Sequence, residues 1–147
     1  VKDFLATPGW DEAAAWVDAH EGTDSYGFSK EAINLYVAQQ AFPLLQQGIR
    51  INAILPGPTD TPLAQANADM WLTFGADYRE AAGLPTLVPE QMASTMLFLC
   101  SDAASGINGV TLLVDQGHVN ASLVDAFEAP IVKMIAGVME FDISALG

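Results

Sequence analysis

The chain is short of positive charge and of cysteine, and it has no long apolar run. Lysine and arginine together number 5 against 18 aspartates and glutamates, a formal net charge of −13. So acidic a surface repels phosphate backbones and anionic headgroups, which argues against nucleic acid or a charged membrane surface as a partner. Cys100 is the single cysteine, so neither an intrachain disulfide framework nor a cysteine-rich zinc motif can form. Set in an apolar run, it is expected to pack as a small buried hydrophobe. No stretch reaches the roughly 18 apolar residues of a membrane span. Val1-Lys2-Asp3-Phe4 lacks the apolar core of a secretory signal behind it. These absences make a reducing cytoplasm the expected compartment. A starting methionine, an opening strand and a Gly-rich phosphate loop are missing too, so the sequence reads as one that begins in the middle of a fold.

What is present is enough for a core. The chain has 147 residues, 51% of them apolar, which excludes a disordered polypeptide and fits one domain. Trp10, Ala13, Ala14, Trp16 and Val17 recur at helical spacing and predict a helix over 10–20, with Asp11 and Glu12 in its first turn. Gly22 breaks the chain, and Thr23, Asp24 or Ser25 can cap the next helix. Phe28, Ala32, Leu35, Ala38 and Phe42 predict that helix to be long, over about 25–45, kinked or tightened near Pro43. Ile49 to Leu55, bounded by Gly48 and Pro56, reads as a buried strand. A helix feeding directly into such a strand is an α/β pattern. The stretch 63–89 is irregular. Its Met70, Trp71 and Phe74 suit an apolar substrate lid or, equally, a short packed helix. A helix over 90–100 and a strand over 110–114 come next. His118 lies just after that strand and, like His20, is expected to be an ordinary exposed or packed side chain. Ile131, Val132, Met134, Ile135 and Val138 form one apolar face in the tail, suited to an arm that packs on another subunit.

The chemistry lies at the start of the long helix. Tyr26 and Lys30 stand at i and i+4, so phenol and ammonium share one face. A fixed cation beside a phenol stabilises its ionised form and suits it to exchange a proton with a substrate hydroxyl. Most isolated Tyr-x-x-x-Lys pairs are only a ring beside a lysine stem. The second candidate is Pro56-Gly57-Pro58-Thr59-Asp60-Thr61-Pro62, at the carboxyl end of the first strand, where open α/β sheets bind ligands. Taken alone, that turn reads as a tight loop shaped by its prolines.

Four features in order carry a family resemblance. They are Tyr26-Gly27-Phe28-Ser29-Lys30, the run Gly48 to Gly57 ending in Pro-Gly, Thr61, and Ser101 to Gly109 followed by a strand and Asp115-Gln116-Gly117. Together they resemble the C-terminal half of a short-chain dehydrogenase/reductase. The run before Tyr26 and the Thr59-Asp60-Thr61-Pro62-Leu63 ending are similar to bacterial 3α-hydroxysteroid dehydrogenase/carbonyl reductase-like members. The resemblance implies an α/β fold, the C-terminal part of a Rossmann-type doubly wound parallel sheet whose N-terminal cofactor-binding part is absent. Residues 1–118 would be the end of that single domain, and 119–147 an extension and oligomer arm.

It also implies an NAD- or NADP-dependent oxidoreductase that interconverts a secondary alcohol and a ketone, steroid-like or otherwise apolar. Tyr26 would be the general acid/base, and Lys30 would hold the nicotinamide ribose. Pro56, Gly57, the Thr59 backbone and the Thr61 hydroxyl would seat the carboxamide. Met70, Trp71 and Phe74 would meet substrate, with no metal. The chain departs from the pattern in five places, the mildest being Asp115-Gln116-Gly117 where the family has Asp-Gly-Gly. The Gly-rich turn, the residue that selects NAD or NADP, and the Asn-Ala-Gly segment are missing. Ala13-Ala14-Ala15 occupies the neighbourhood of the catalytic serine, which in members with an insertion lies further upstream. Ser25 should point to another face. By itself this stretch is expected to be inactive. The rival readings are a non-catalytic scaffold or oligomerisation module, and a cofactor-free lyase or isomerase using Tyr26.

Overall fold

The computed structural model describes residues 1–129 and Val132. Two strands, β1 (Ala53–Pro56) and β2 (Thr111–Val114), form a two-stranded sheet. The Ala53 N–H donates to the Val110 carbonyl at 2.8 Å and the Gly57 N–H to that of Val114 at 2.9 Å. Partners advance in the same direction, so the strands run parallel, and helices flank them in sequence as the α/β pattern predicts. β1 begins later than the expected Ile49, for a reason that lies in two asparagines. The Ile51 N–H donates to Asn108 Oδ1 at 2.9 Å, and the Val110 N–H to Asn52 Oδ1 at 3.2 Å. Side-chain amides thus take the place of ladder partners, which periodicity does not register.

The chain divides into two compact units. The first comprises Val1–Ala53 and Asp102–Leu112. It contains α1 (Lys2–Leu5), α2 (Trp10–Ala19) and α3 (Tyr26–Leu45). α1 exists because Phe4 has rings to pack on: its centroid lies 5.6 Å from Trp16 and 5.4 Å from Phe28. Of the three cap candidates, Ser25 is the N-cap of α3, its Oγ accepting from the Phe28 N–H at 3.2 Å. Ala32 and Val37 are the buried positions of α3. Pro43 stands inside the last turns, where its missing N–H weakens the helix just before it ends.

The second unit comprises Ile54–Ser101 and the chain from Leu113 onward. The stretch expected to be irregular holds three short helices, α4 (Pro62–Gln65), α5 (Ala68–Trp71) and α6 (Ala76–Ala82). Arg79, buried on α6, ties that helix to the end of α5: its guanidinium donates to the Leu72 carbonyl at 2.6 Å and the Phe74 carbonyl at 3.0 Å. α7 (Pro89–Cys100) starts with Pro89 in its first turn and with Gln91 Oε1 accepting from the Val88 N–H at 2.9 Å. Met92 and Leu99 bury its inner face, whereas Met96, Leu97 and Phe98 are exposed. Cys100 corrects one expectation: it is exposed, because the apolar run that holds it is only partly core. α8 (His118–Leu123) follows β2. The apolar tail face at 131–138 lies outside the described residues apart from Val132. Among the described residues no helix is long and apolar enough to cross a membrane.

Candidate active site

The first turn of α3 brings together the pair singled out by spacing. Lys30 Nζ lies over the Tyr26 ring, 4.9 Å from its centroid. A cation on the ring face holds the two side chains in register, contributing on the order of 0.5–1 kcal/mol at an exposed site. Tyr26 is 67% exposed and Lys30 half-buried, so the pair faces outward. The turn beneath is fixed twice, by the Ser25 cap and by Ser29 Oγ donating to the Tyr26 carbonyl at 2.7 Å. Ser25 thus has a local structural duty, as its position in sequence implied. The pair supplies a hydroxyl able to donate a proton or, once ionised, to accept one, with a fixed cation one helical turn away.

The Pro56–Thr61 turn is held in the second unit. The Gly57 N–H donates to Val114, the Asp60 N–H donates to the Leu87 carbonyl at 2.7 Å, and Thr59 pairs with Leu87 in an isolated parallel bridge. Gly57 is dictated by packing: a Cβ there would stand 2.9 Å from the Asp115 Cα and 3.3 Å from Leu87 Cδ1. The Thr59 hydroxyl donates to the Gly57 carbonyl at 2.9 Å. Thr61 Oγ1 accepts from the Ala64 N–H at 3.1 Å and caps α4. A hydroxyl that accepts in a cap still has its own O–H to donate. That O–H is a donor of the kind a carboxamide oxygen accepts.

Of the three proposed substrate residues, two lie on one short helix and the third just after it. Met70 and Trp71 are exposed on α5, whereas Phe74 is half-buried with its ring 5.5 Å from that of His118. His20 is exposed and stacked on Trp16 at 3.8 Å. His118 is buried, the packed outcome of the two expected for it. An apolar cavity of about 420 Å³ beside Phe4, Val17, Phe28, Ile33 and Tyr36 includes neither Tyr26 nor Lys30. Among the described residues no group of three or more His, Cys, Asp or Glu is placed to hold a metal ion.

Comparison with known proteins bears on this arrangement. A family model described as enoyl-(acyl carrier protein) reductase matches residues 13–119. The 3-alpha-hydroxysteroid dehydrogenase/carbonyl reductase of Comamonas testosteroni is 34% identical over 104 residues, which cover 65% of this chain and 38% of that protein. The cis-4-hydroxycyclohexanecarboxylate dehydrogenase of Sinomonas cyclohexanicum is 38% identical over 97 residues, with coverages of 65% and 38%. The solved structure of a short-chain type dehydrogenase/reductase from Mycobacterium ulcerans is 32% identical, the match covers 67% of this chain and 36% of that one, and the two superpose with a TM-score of 0.55. The chain thus spans 38% of the length of these two curated relatives. The matched stretch holds the Tyr26–Lys30 turn, the Pro-Gly turn and the Asp115-Gln116-Gly117 strand end. The chain belongs to the short-chain dehydrogenase/reductase family.

Proposed function

We propose that the protein containing this chain is a nicotinamide-dependent oxidoreductase that interconverts a secondary alcohol and a ketone. The observation that carries the reading is the Lys30 ammonium set over the Tyr26 ring at the start of α3. A scaffold has no need of that geometry. In the oxidative direction the ionised Tyr26 hydroxyl takes the proton from the substrate alcohol, and in the reductive direction it returns one to the ketone oxygen. Lys30 supplies the positive charge beside it and an ammonium able to donate to a ribose hydroxyl. Thr61 offers its free O–H, and the Thr59 backbone a further polar group, to the carboxamide. A bound nicotinamide dinucleotide supplies the hydride donor or acceptor. NAD and NADP are both compatible with these residues.

An alicyclic, apolar alcohol is the substrate class we favour, because the two curated relatives are named for ring-borne hydroxyl groups. Met70, Trp71 and Phe74 are the side chains we assign to it. Residues 1–118 are read as the closing portion of one Rossmann-like domain and 119–147 as an extension that serves a homo-oligomer.

The test is Tyr26→Phe in the full-length protein, assayed with NAD(H) and NADP(H) against alicyclic alcohols and ketones. Turnover should fall by about 10²-fold or more, the scale of a lost acid/base group. The thermal midpoint should stay put, because the hydroxyl sits on a largely exposed ring. Unchanged turnover would remove Tyr26 from the chemistry. Turnover by the parent without any nicotinamide would favour the lyase or isomerase reading.

A further inference from the structure

Within the second unit, the turn from Asp115 to His118 reaches back to the stretch from Phe74 to Pro85 with two side chains and one carbonyl. Gln116 adopts φ +59, a left-handed conformation that side-chain-bearing residues rarely take. In that conformation its carbonyl accepts from the Tyr78 hydroxyl at 2.9 Å and its amide donates to the Pro85 carbonyl at 3.2 Å. His118 is 4% exposed. Its ring stacks on Tyr78 with centroids 4.7 Å apart, and it meets Phe74 at 5.5 Å and Phe127 at 6.3 Å. Gly75, at φ +64, leaves the space the imidazole fills: a Cβ there would lie 2.6 Å from His118 Cε1 and 2.7 Å from Nδ1. The ring is thus keyed into α6 at its first turn.

One atom of this key is unsatisfied. His118 Nε2 is buried and has no hydrogen-bond partner among the described residues. A neutral imidazole bears that with one unpaired ring nitrogen, whereas an imidazolium adds a second N–H and a full charge inside an aromatic cage. The charges around it are divided. On its own turn, Asp115 favours the cation, but its carboxylate is already engaged by the Gly117 N–H at 2.9 Å and the Val119 N–H at 2.8 Å. From α6, Asp77 favours the cation and Arg79 opposes it, while Tyr78 presents its ring. The stretch after α8 carries Asp125 and Glu128, and its Phe127 ring is the group that meets His118. Burial outweighs the carboxylates and holds the His118 pKa below its ordinary value of 6.5.

We propose that the Asp115–His118 turn is a pH-sensitive latch on the Phe74–Pro85 stretch, closed while His118 is neutral and released when His118 takes up a proton. The sign comes from linkage. An opened stretch restores the ordinary affinity of the imidazole for a proton, so the open form binds it first as pH falls. Closure is at full strength above pH 6.5 and is lost as pH drops through the lower value of the closed state. This goes beyond the oxidoreductase reading and does not depend on it, since the readout is backbone opening and not turnover.

Hydrogen exchange followed by mass spectrometry on the full-length protein, at about pH 7.5 and about pH 5.5, tests it once rates are corrected for the intrinsic pH dependence of amide exchange. Peptides spanning 74–85 should lose protection by about fivefold or more on acidification. His118→Phe, which keeps an aromatic ring and removes the titration, should abolish that pH response, and His20→Gln should leave it intact. Protection over 74–85 that does not change with pH in the wild type overturns the proposal, as does an undiminished response in His118→Phe. Should that variant not fold, His118→Gln replaces it, and the wild-type comparison decides the matter in any case.

Discussion

At the scale of single residues, the Tyr26–Lys30 pair was legible because its geometry is local. Four residues along a helix fix which side chains meet, whatever surrounds them. Gln116 and His118 were not legible, because their partners at Tyr78, Phe74, Gly75 and Pro85 are 31 to 44 positions away in sequence. The only sign of them was that Asp115-Gln116-Gly117 stands where the family pattern has Asp-Gly-Gly. Gly57 lies between these cases. Its place in a Pro-Gly turn was visible, but the reason for glycine is the Asp115 backbone 2.9 Å from where a Cβ would stand. That neighbour is main chain and cannot swing aside. Gly57→Ala should therefore cost about 1–3 kcal/mol, the range for overpacking a tight site. A urea midpoint measured on the full-length protein reads this directly. A midpoint equal to that of the wild type would mean that the turn does not press on Asp115 as described.

Elements were read with uneven success, and the unevenness has a cause. α2, α3 and α7 fell within a residue of their predicted bounds, since each carries a periodic apolar stripe and α3 and α7 open on a serine cap or a proline. β1 fell short of its predicted start because Asn52 and Asn108 offer amide groups that compete with the ladder. α4 and α6 were missed as regular structure because each is short and held by the Arg79 bonds or by a single cap, whereas α5 overlaps the short helix that Met70 to Phe74 offered as one of two readings. For α3 the decisive device is its N-cap. Ser25 Oγ satisfies the Phe28 N–H, one of the four donors that a helix start leaves open, and Tyr26 is the next residue. Ser25→Ala should lower stability by about 1 kcal/mol. Ser25→Asp, whose carboxylate can also cap and favours the positive end of the helix dipole, should restore it. Equal losses in the two variants, read from their thermal midpoints, would show that Ser25 contributes something other than a cap.

For the molecule as a whole, the sequence announced two opposed tendencies, and the structure shows where each resides. α3 leaves Ile33, Tyr36, Phe42 and Leu45 exposed, and α7 leaves Met96, Leu97 and Phe98 exposed. Apolar patches of this kind draw molecules together. The net charge of −13 drives copies apart. These forces differ in how they respond to salt. Charge repulsion between surfaces acts over a Debye length of about 10 Å at 0.1 M salt and about 3 Å at 1 M, whereas apolar attraction is not screened. For this chain expressed alone, raising sodium chloride from about 0.05 M to about 0.5 M should therefore increase the mean mass, as read by sedimentation or light scattering. Leu97→Asp sets a charge in the middle of the exposed face of α7 and should blunt the increase if apolar contact drives it. A mass that is constant with salt would mean that the exposed side chains are too scattered to act as a patch. A rise unchanged by Leu97→Asp would move the contact away from α7, to the face of α3 or elsewhere.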